Sequence, residues 1–278
     1  MSQVPSITLN NGVAMPQLGY GVWQIPDDET ASTVATALEA GYRSVDTAAV
    51  YGNEKGTGRG IARSGVPREE LFVTTKVWNS DQGYDATLRA FDASLDRLGL
   101  EHVDLYLIHW PMPSHDRYID TWRALEKILA DGRSRAIGVC NFRPQDLERL
   151  LAETDVVPAV NQIELHPQFQ QAELRALHER HSIVTESWSP LGQGRGLLEV
   201  PAVVAVARKH GRTPAQVVLR WHLQLGLVTI PKSANPSRIR ENLEVFGFEL
   251  DTEDLAAFAA LDEGRRLGFD PSTFGGTI

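Results

Sequence analysis

The sequence has only one cysteine, Cys140, among its 278 residues. A single cysteine excludes an internal disulfide and is typical of proteins in a reducing compartment. Long apolar runs are also missing, since none approaches the roughly 18 residues that a membrane span needs. The segment from Met1 to Pro5 has neither a charged leader nor an apolar stretch, so it does not resemble a signal peptide. We therefore expect a cytoplasmic protein without a membrane partner.

Positive charge is scarce as well. The chain has 27 lysines and arginines against 36 aspartates and glutamates, a formal net charge of −9. Nucleic acids and anionic membranes repel such a protein, so we expect neither as a partner. No low-complexity linker or break in composition divides the chain. We expect one domain, residues 1–278, and a monomer, since no exposed apolar helix stripe predicts a dimer.

Short apolar segments alternate with amphipathic helical periods along the chain. Asn11-Gly12 predicts a tight turn within an N-terminal β-hairpin, residues 7–15. Eight further segments predict strands: 18–23, 42–46, 71–76, 103–109, 135–141, 159–162, 183–188 and 227–231. Strands separated by helices pair in parallel through right-handed crossovers. Eight such units in about 250 residues predict an α/β fold, a (β/α)8 TIM barrel whose bottom is closed by the hairpin.

The alternative α/β architecture is an open, doubly wound sheet that binds a dinucleotide at its first strand. Two glycine-rich stretches are candidates, residues 56–60 and 192–196. Neither has the spacing G-x-G-x-x-G, and the loop after the first strand, Gln24-Ile25-Pro26, has no glycine. These observations favour the barrel.

Polar or amphipathic side chains stand where the predicted strands end. They are Asp46, Lys76, His109, Asn141, Gln162 with Glu164, Trp188 with Ser189, and Lys232. Any one of them could be structural, for example as a helix cap. The active site of a TIM barrel lies where the carboxyl ends of its strands meet. We therefore expect these side chains to converge on one site.

Four residues near this rim can move a proton: Asp46, Tyr51, Lys76 and His109. A nearby ammonium group favours the tyrosine anion, and a carboxylate keeps that ammonium charged. A histidine can orient a carbonyl group. Such a set can protonate an oxyanion as it forms, which is half of carbonyl reduction. The other half needs a hydride donor, which no side chain can be, so a nicotinamide cofactor is implied.

A metal site is the competing interpretation of the same residues. Asp46 and His109 are possible ligands, but the chain has no H-x-H or H-E-x-x-H spacing. The ammonium group of Lys76 would also repel a cation. We expect no metal.

Several motifs in the chain resemble those of the aldo-keto reductase family. They are GYRSVDTAAVYGNE, TTKVW, DLYLIHWP, IGVCNF, VNQIELHP and IPKSANPSRIRENL, which follow one another from residue 41 to residue 243 in the family's order. Among its members, the chain is most similar to the bacterial 2,5-diketo-gluconate reductase type. The resemblance implies that Asp46, Tyr51, Lys76 and His109 form a catalytic tetrad in which Tyr51 is the general acid.

The resemblance also implies a set of cofactor residues. Asn141 and Gln162 would bind the nicotinamide carboxamide, and Trp188 would stack on its ring. Cys140, Ser189 and Leu191 complete this part of the expected site. The family usually has serine in place of Cys140, and a thiol is a weaker hydrogen-bond donor. Glu241 and Asn242 would contact the adenine.

A local basic cluster in an otherwise acidic chain consists of Lys232, Ser233, Arg238 and Arg240. Loops after the seventh and eighth strands of TIM barrels frequently bind phosphate. A lysine, a hydroxyl and a guanidinium suit a ribose 2′-phosphate, so we expect NADPH as the cofactor.

The substrate side of the site is expected to be mostly apolar. Trp23, Trp78 and Trp110 lie at or just beyond strand ends and, with His109, are the expected pocket residues. The C-terminal tail, residues 264–278, would reach over this pocket. The predicted function is NADPH-dependent reduction of a small carbonyl compound, and the sequence does not identify that compound. The alternative is a regulatory subunit that binds the cofactor without turnover.

Overall fold

Eight parallel strands enclose the centre of the molecule. The computed structural model describes residues 4–276. The sheet consists of β3 (Tyr20–Gly21), β4 (Ser44–Asp46), β5 (Phe72–Val77), β6 (Val103–Ile108), β7 (Ser134–Cys140), β8 (Val160–Glu164), β9 (Val184–Trp188) and β10 (Val228–Thr229), in that spatial order. Parallel bridges Leu18–Thr229 and Gly21–Lys232 join the two edge strands. The sheet therefore closes, and the predicted TIM barrel is confirmed.

The N-terminal hairpin closes the bottom of the barrel, as expected. Its strands β1 (Ser6–Thr8) and β2 (Ala14–Pro16) pair in antiparallel fashion. Gly12 adopts a φ of 86°, which the turn requires and which glycine allows at little cost. Leu9 and Met15 are buried in one cluster with Phe72 and Leu105 of the barrel interior. These contacts exclude water from the end of the barrel opposite the predicted site.

Helices cover the outside of the barrel. They are α1 (Asp27–Ala40), α2 (Glu54–Ser64), α3 (Tyr84–Leu98), α4 (Tyr118–Ala130), α5 (Pro144–Glu153), α6 (Ala172–Arg180), α7 (Pro201–His210), α8 (Pro214–Gln224), α9 (Pro236–Glu241) and α10 (Thr252–Ala259). The main core lies between helices and sheet, where Trp122 and Trp221 are fully buried. Among residues 4–276, none of the helices combines the length and the hydrophobicity that a bilayer crossing requires.

The first glycine-rich stretch has a packing role. Gly56, Gly58 and Gly60 lie in α2, and a Cβ at Gly58 would overlap the carbonyl group of Leu98 at the end of α3. A Cβ at Gly60 would lie 2.6 Å from the Cβ of Val34 in α1. The glycines therefore allow α1 and α3 to approach α2 closely.

Candidate active site

The predicted rim residues share one end of the barrel. Because side chains alternate along a strand, Asp46, Lys76 and His109 can all point inward from β4, β5 and the end of β6. On the other side of the barrel, Gln162 of β8 is aligned with Cys140 of β7 and with Glu186 of β9. The strand registers thus bring side chains more than 100 residues apart to the same level.

Lys76 and Asp46 form a buried ion pair. The Nζ atom of Lys76 donates to Oδ1 of Asp46 at 2.7 Å and to the carbonyl oxygen of Thr47 at 2.9 Å. Lys76 is fully buried, and Asp46 is 2 % exposed. Burial lowers the pKa of Lys76, but the charges of Asp46 and Tyr51 raise it by more. Lys76 is therefore a fixed cation at neutral pH.

Tyr51 lies next to this cation. It ends a single 3-10 turn, Ala49–Tyr51, and is half-buried. The Nζ atom of Lys76 lies 5.2 Å from the centre of its ring. Burial raises the pKa of Tyr51, and the charge of Lys76 lowers it by less, so the net shift is upward. Lys76 acts in the expected direction, but burial outweighs it, and Tyr51 holds its proton at neutral pH.

His109 completes the four-residue group. Its ring centre lies 5.7 Å from that of Tyr51 and 5.1 Å from that of Trp78, in edge-on contact with both. Burial, followed by the charge of Lys76, lowers the pKa of His109 well below its usual value. His109 is therefore neutral, and its buried Nδ1 has no hydrogen-bond partner within residues 4–276. A neutral imidazole can orient a carbonyl group without adding charge.

A group of amide side chains lies beside the four residues. Asn141 has a φ of 63°, an uncommon value for a residue other than glycine. Its Nδ2 donates to the carbonyl oxygen of His109 at 3.0 Å, and its Oδ1 accepts from Nε1 of Trp188 at 2.9 Å. The Sγ atom of Cys140 lies 3.7 Å from Oε1 of Gln162. Burial raises the pKa of Cys140 well above its usual value, so this thiol is protonated.

These residues suit a nicotinamide carboxamide in their chemistry. Asn141 and Gln162 are primary amides whose oxygens can accept from the NH2 group of the carboxamide, while their N–H groups already donate within the protein. The expected cofactor residues Ser189 and Leu191 follow β9 directly; Ser189 has a φ of 51°, and its Oγ accepts from Nε2 of Gln193 at 2.8 Å. The structure brings Cys140, Asn141, Gln162 and Trp188 together, whereas their contacts with a cofactor stay predictions.

The basic cluster lies on the surface where the barrel closes. Lys232 and Arg238 are exposed, and neither forms an ion pair with a carboxylate in the described part of the chain. Asn235 caps α9 by accepting from the backbone N–H groups of Ser237 and Arg238 at 2.9 and 3.3 Å. The hydroxyl of Tyr20 donates to the carbonyl oxygen of Ser233 at 2.7 Å. The cations are thus free to meet an anion.

Glu241 and Asn242, which are expected to contact the adenine, lie at the C-terminal end of α9. Glu241 is the last residue of the helix, and its Oε1 accepts from the hydroxyl of Thr213 at 2.7 Å. Asn242, which follows, is 4 % exposed. Their adenine contacts stay predictions.

The aromatic side chains form a wall over His109. Trp78 and Trp110 both contact Phe274 of the C-terminal tail, with ring centres 6.3 and 4.4 Å away. Met112 belongs to the same buried cluster. Trp23 is half-buried, and no aromatic ring stacks on it within residues 4–276. The wall is therefore built by Trp78 and Trp110, together with a phenylalanine that sequence reasoning did not single out.

The C-terminal tail reaches over the site, as expected for residues 264–276; Thr277 and Ile278 lie outside the described residues. The backbone N–H groups of Leu267 and Gly268 donate to the carboxylate of Glu164 at 2.5 and 2.9 Å. Burial raises the pKa of Glu164, but hydrogen bonds from His166 and from these amides lower it by more, so the net shift is downward. A charged Glu164 therefore anchors the tail. Gly268 lies against Trp188, because a Cβ at this position would come within 2.5 Å of the indole ring.

Sequence reasoning also missed Glu186. It is fully buried inside the barrel, two residues before Trp188 on the same face of β9. The sequence contained one signal for this residue, an acidic side chain inside the predicted strand 183–188. No group of three potential metal ligands comes together within the described ranges. The expectation of a metal-free site stays a prediction.

Comparison with known proteins decides the family. The model of the aldo/keto reductase family matches residues 9–263. The chain belongs to the aldo/keto reductase family. An aldo-keto reductase of Mycolicibacterium smegmatis is 58 % identical over 270 residues, covering 97 % of this chain and 98 % of the relative. The methylglyoxal reductase DkgA of Yersinia pestis is 52 % identical over 276 residues, covering 99 % of each chain.

A solved structure of a similar protein contains NADPH. A variant of the protein Gox0644 in complex with NADPH is 52 % identical, has a TM-score of 0.94 and covers 99 % of each chain. The chain is therefore an enzyme, an oxidoreductase of the aldo/keto reductase family. Its exposed cations and buried amide side chains fit the two ends of that cofactor in their chemistry.

Proposed function

We propose that this aldo/keto reductase reduces aldehydes or ketones to alcohols and that Tyr51 is its general acid. One observation carries this proposal: a protonated phenol lies between a buried, permanently charged lysine and a neutral histidine. This arrangement can supply a proton and then stabilise the phenolate that remains.

The chemistry divides between the protein and the cofactor. NADPH, when bound, supplies the hydride that the carbonyl carbon accepts. Tyr51 donates its proton to the carbonyl oxygen, so that the carbonyl becomes an alcohol and the tyrosine becomes a phenolate. The Lys76 ammonium stabilises the phenolate, because an opposite charge is worth far more in a buried site than in water. Asp46 keeps Lys76 charged and in place through their 2.7 Å contact.

His109 orients the substrate in this proposal. Its neutral ring lies between Tyr51 and Trp78, beside the group that donates the proton. An imidazole N–H can donate to the same carbonyl oxygen without competing for the proton. Asn141 fixes the backbone of His109, because its Nδ2 donates to the carbonyl oxygen of that residue.

The walls of the pocket favour small carbonyl compounds with apolar surface near the carbonyl group. Trp78, Trp110 and Phe274 present apolar surface above His109. We include small aldehydes and dicarbonyls in this class, because one relative is named as a methylglyoxal reductase. The motifs also support assignment to the 2,5-diketo-gluconate reductase type, whose name denotes a dicarbonyl substrate.

The test measures the decay of NADPH absorbance with a panel of aldehydes, ketones and dicarbonyls, for the wild type and for Tyr51→Phe. General acid catalysis is worth about 10²–10⁴-fold, so Tyr51→Phe should lose activity by that factor while its affinity for NADPH is unchanged. Tyr84→Phe, which removes a hydroxyl from a surface tyrosine, is the control. Wild-type protein that binds NADPH without turning over any member of the panel would support a regulatory subunit instead.

A further inference from the structure

Glu186 has no role in the mechanism above, although it lies next to the residues that carry it. Its side chain is fully buried inside the barrel. Its position on β9 is aligned with Gln162 on β8. The Nε2 atom of Gln162 donates to Oε2 of Glu186 at 2.8 Å and to Oδ2 of Asp46, also at 2.8 Å. One amide nitrogen thus joins Glu186 to the carboxylate that holds Lys76.

These two hydrogen bonds determine how the Gln162 amide is oriented. A primary amide has two N–H donors on its nitrogen and acceptor sites only on its oxygen. Two carboxyl groups, both buried, accept the two N–H donors. The reversed amide would place its oxygen against the Asp46 carboxylate, which can only accept, and this is unfavourable. The oxygen Oε1 is consequently directed to the other side, where it lies 3.7 Å from the Sγ atom of Cys140.

We propose that Glu186 is a positioning residue that locks the Gln162 amide with its oxygen presented to the nicotinamide carboxamide. The proposal rests on the cofactor role of Gln162 given above. The carboxamide carries an NH2 group that needs an acceptor. The Oδ1 atom of Asn141 already accepts from Nε1 of Trp188 at 2.9 Å, whereas, among residues 4–276, Oε1 of Gln162 accepts only from the Cys140 thiol, a weak donor at 3.7 Å. The Oε1 atom of Gln162 is the strong acceptor among these side chains.

Two substitutions of Glu186 separate this role from general packing. Glu186→Gln keeps an oxygen that can accept from Nε2 of Gln162. Glu186→Leu has a similar size but no acceptor, so one N–H of Gln162 loses its partner in a buried site, and Asp46 alone then holds the amide. The expected loss in NADPH affinity is about tenfold for Glu186→Leu, the effect of one such hydrogen bond. Glu186→Gln should stay within about threefold of the wild type on the same scale.

The decisive measurement compares two ligands by quenching of tryptophan fluorescence. NADPH carries the nicotinamide, whereas 2′-phospho-ADP-ribose has the same adenine, phosphates and ribose without it. Glu186→Leu should weaken NADPH and leave 2′-phospho-ADP-ribose unchanged. A merely structural role for Glu186 would weaken both ligands alike, and this outcome would overturn the proposal.

A double-mutant cycle with Gln162→Leu completes the test. If Glu186 acts through Gln162, Glu186→Leu should cause no further loss of NADPH affinity once Gln162→Leu is present. Additive losses in the double variant would contradict the proposal. If the single variant Gln162→Leu binds NADPH with wild-type affinity, the cofactor role of Gln162 is refuted instead. Thermal unfolding of each apo variant verifies that the compared proteins are folded.

Discussion

At the scale of single residues, Lys76 is expected to act mainly in the transition state, where it stabilises the Tyr51 phenolate. Lys76→Met should reduce kcat/KM by about 10²–10⁴-fold, the range for loss of a catalytic proton-transfer group, while NADPH affinity changes little. Steady-state kinetics and a fluorescence titration measure the two quantities.

Stability is the confounding factor, because Lys76→Met leaves the Asp46 carboxylate buried without its cation. Unfolding temperatures should therefore fall, and kinetics must be measured well below them. Lys209→Met is the matched control, since Lys209 pairs with Asp254 and Asp251 far along the chain from the site. A kcat/KM for Lys76→Met equal to that of Lys209→Met would contradict the proposed role.

Glu186 is expected to make the stability of the apo protein depend on pH. Burial, and then the charge of Asp46, raise the pKa of Glu186 to about 8, with Lys76 acting in the opposite direction. Because the folded pKa exceeds the unfolded one, the unfolded protein loses its proton first. The free energy of unfolding should therefore fall as pH rises from about 4.5 to 8.

The pH effect can be isolated with Glu186→Gln, which does not titrate. One pH unit within this window corresponds to at most about 1.4 kcal/mol, or roughly 3–5 °C in Tm. Between pH 5 and 8, the Tm of the wild type should decrease by more than the Tm of Glu186→Gln. The groups that face Glu186, namely Asp46, Lys76 and Cys140, are the same in both proteins. Parallel Tm curves would show that Glu186 is already ionised throughout this range.

At the scale of whole elements, the C-terminal tail is expected to determine substrate affinity more than catalysis. Phe274 is 7 % exposed and packs on Trp110 with ring centres 4.4 Å apart. Phe274→Ala should raise KM for an aromatic aldehyde several-fold, since part of the apolar pocket wall is lost. NADPH affinity should change little.

A nearby ring in the same tail provides the control. Phe269 is 54 % exposed and stacks on Phe274 with ring centres 4.8 Å apart. Phe269→Ala should therefore have a smaller effect on KM. Equal effects of the two substitutions would indicate that the tail acts through its overall order and not through Phe274.

At the scale of the whole molecule, the net charge of −9 makes the basic cluster important. An acidic protein repels an anionic cofactor at long range, so fixed cations are needed where the phosphate binds. Arg238→Ala should weaken NADPH by about 1.5–3 kcal/mol, the value of a hydrogen bond to a charged group. NADH, which lacks the 2′-phosphate, should be affected far less.

Arg240→Ala is the matched control for this prediction. Arg240 lies on the same helix, is exposed, and carries the same charge. If only the total charge matters, Arg238→Ala and Arg240→Ala should weaken NADPH equally. If Arg238 contacts the phosphate, its loss should have the larger effect, and added salt should reduce that effect.

The expectation of a monomer with one domain can be examined at the same scale. Sedimentation velocity should give a single species near the monomer mass of 30.7 kDa. A single domain should also unfold in one cooperative transition. Two separate transitions would contradict the assignment of residues 1–278 to one domain.

The sequence by itself determined the elements and the chemistry of the site. All eight predicted strands occur, because apolar segments bounded by turn residues are a local signal. Pro144 and Pro214 are the first residues of helices α5 and α8, where the fixed φ of proline suits the first turn. The four residues with acid, base or charge roles could be proposed because each stands at or just after a strand end.

Only the tertiary structure decided how those residues act on one another. The link from Asp46 through Gln162 to Glu186 depends on the register of neighbouring strands and on closure of the barrel, which no local pattern encodes. The net upward shift in the pKa of Tyr51 also depends on the tertiary structure, because it is the balance between burial and the charge of Lys76. The contacts of Glu164 and Phe274 with other elements also depend on where a tail of irregular backbone settles. Burial and proximity are properties of the folded chain, and sequence patterns report them only through the elements that produce them.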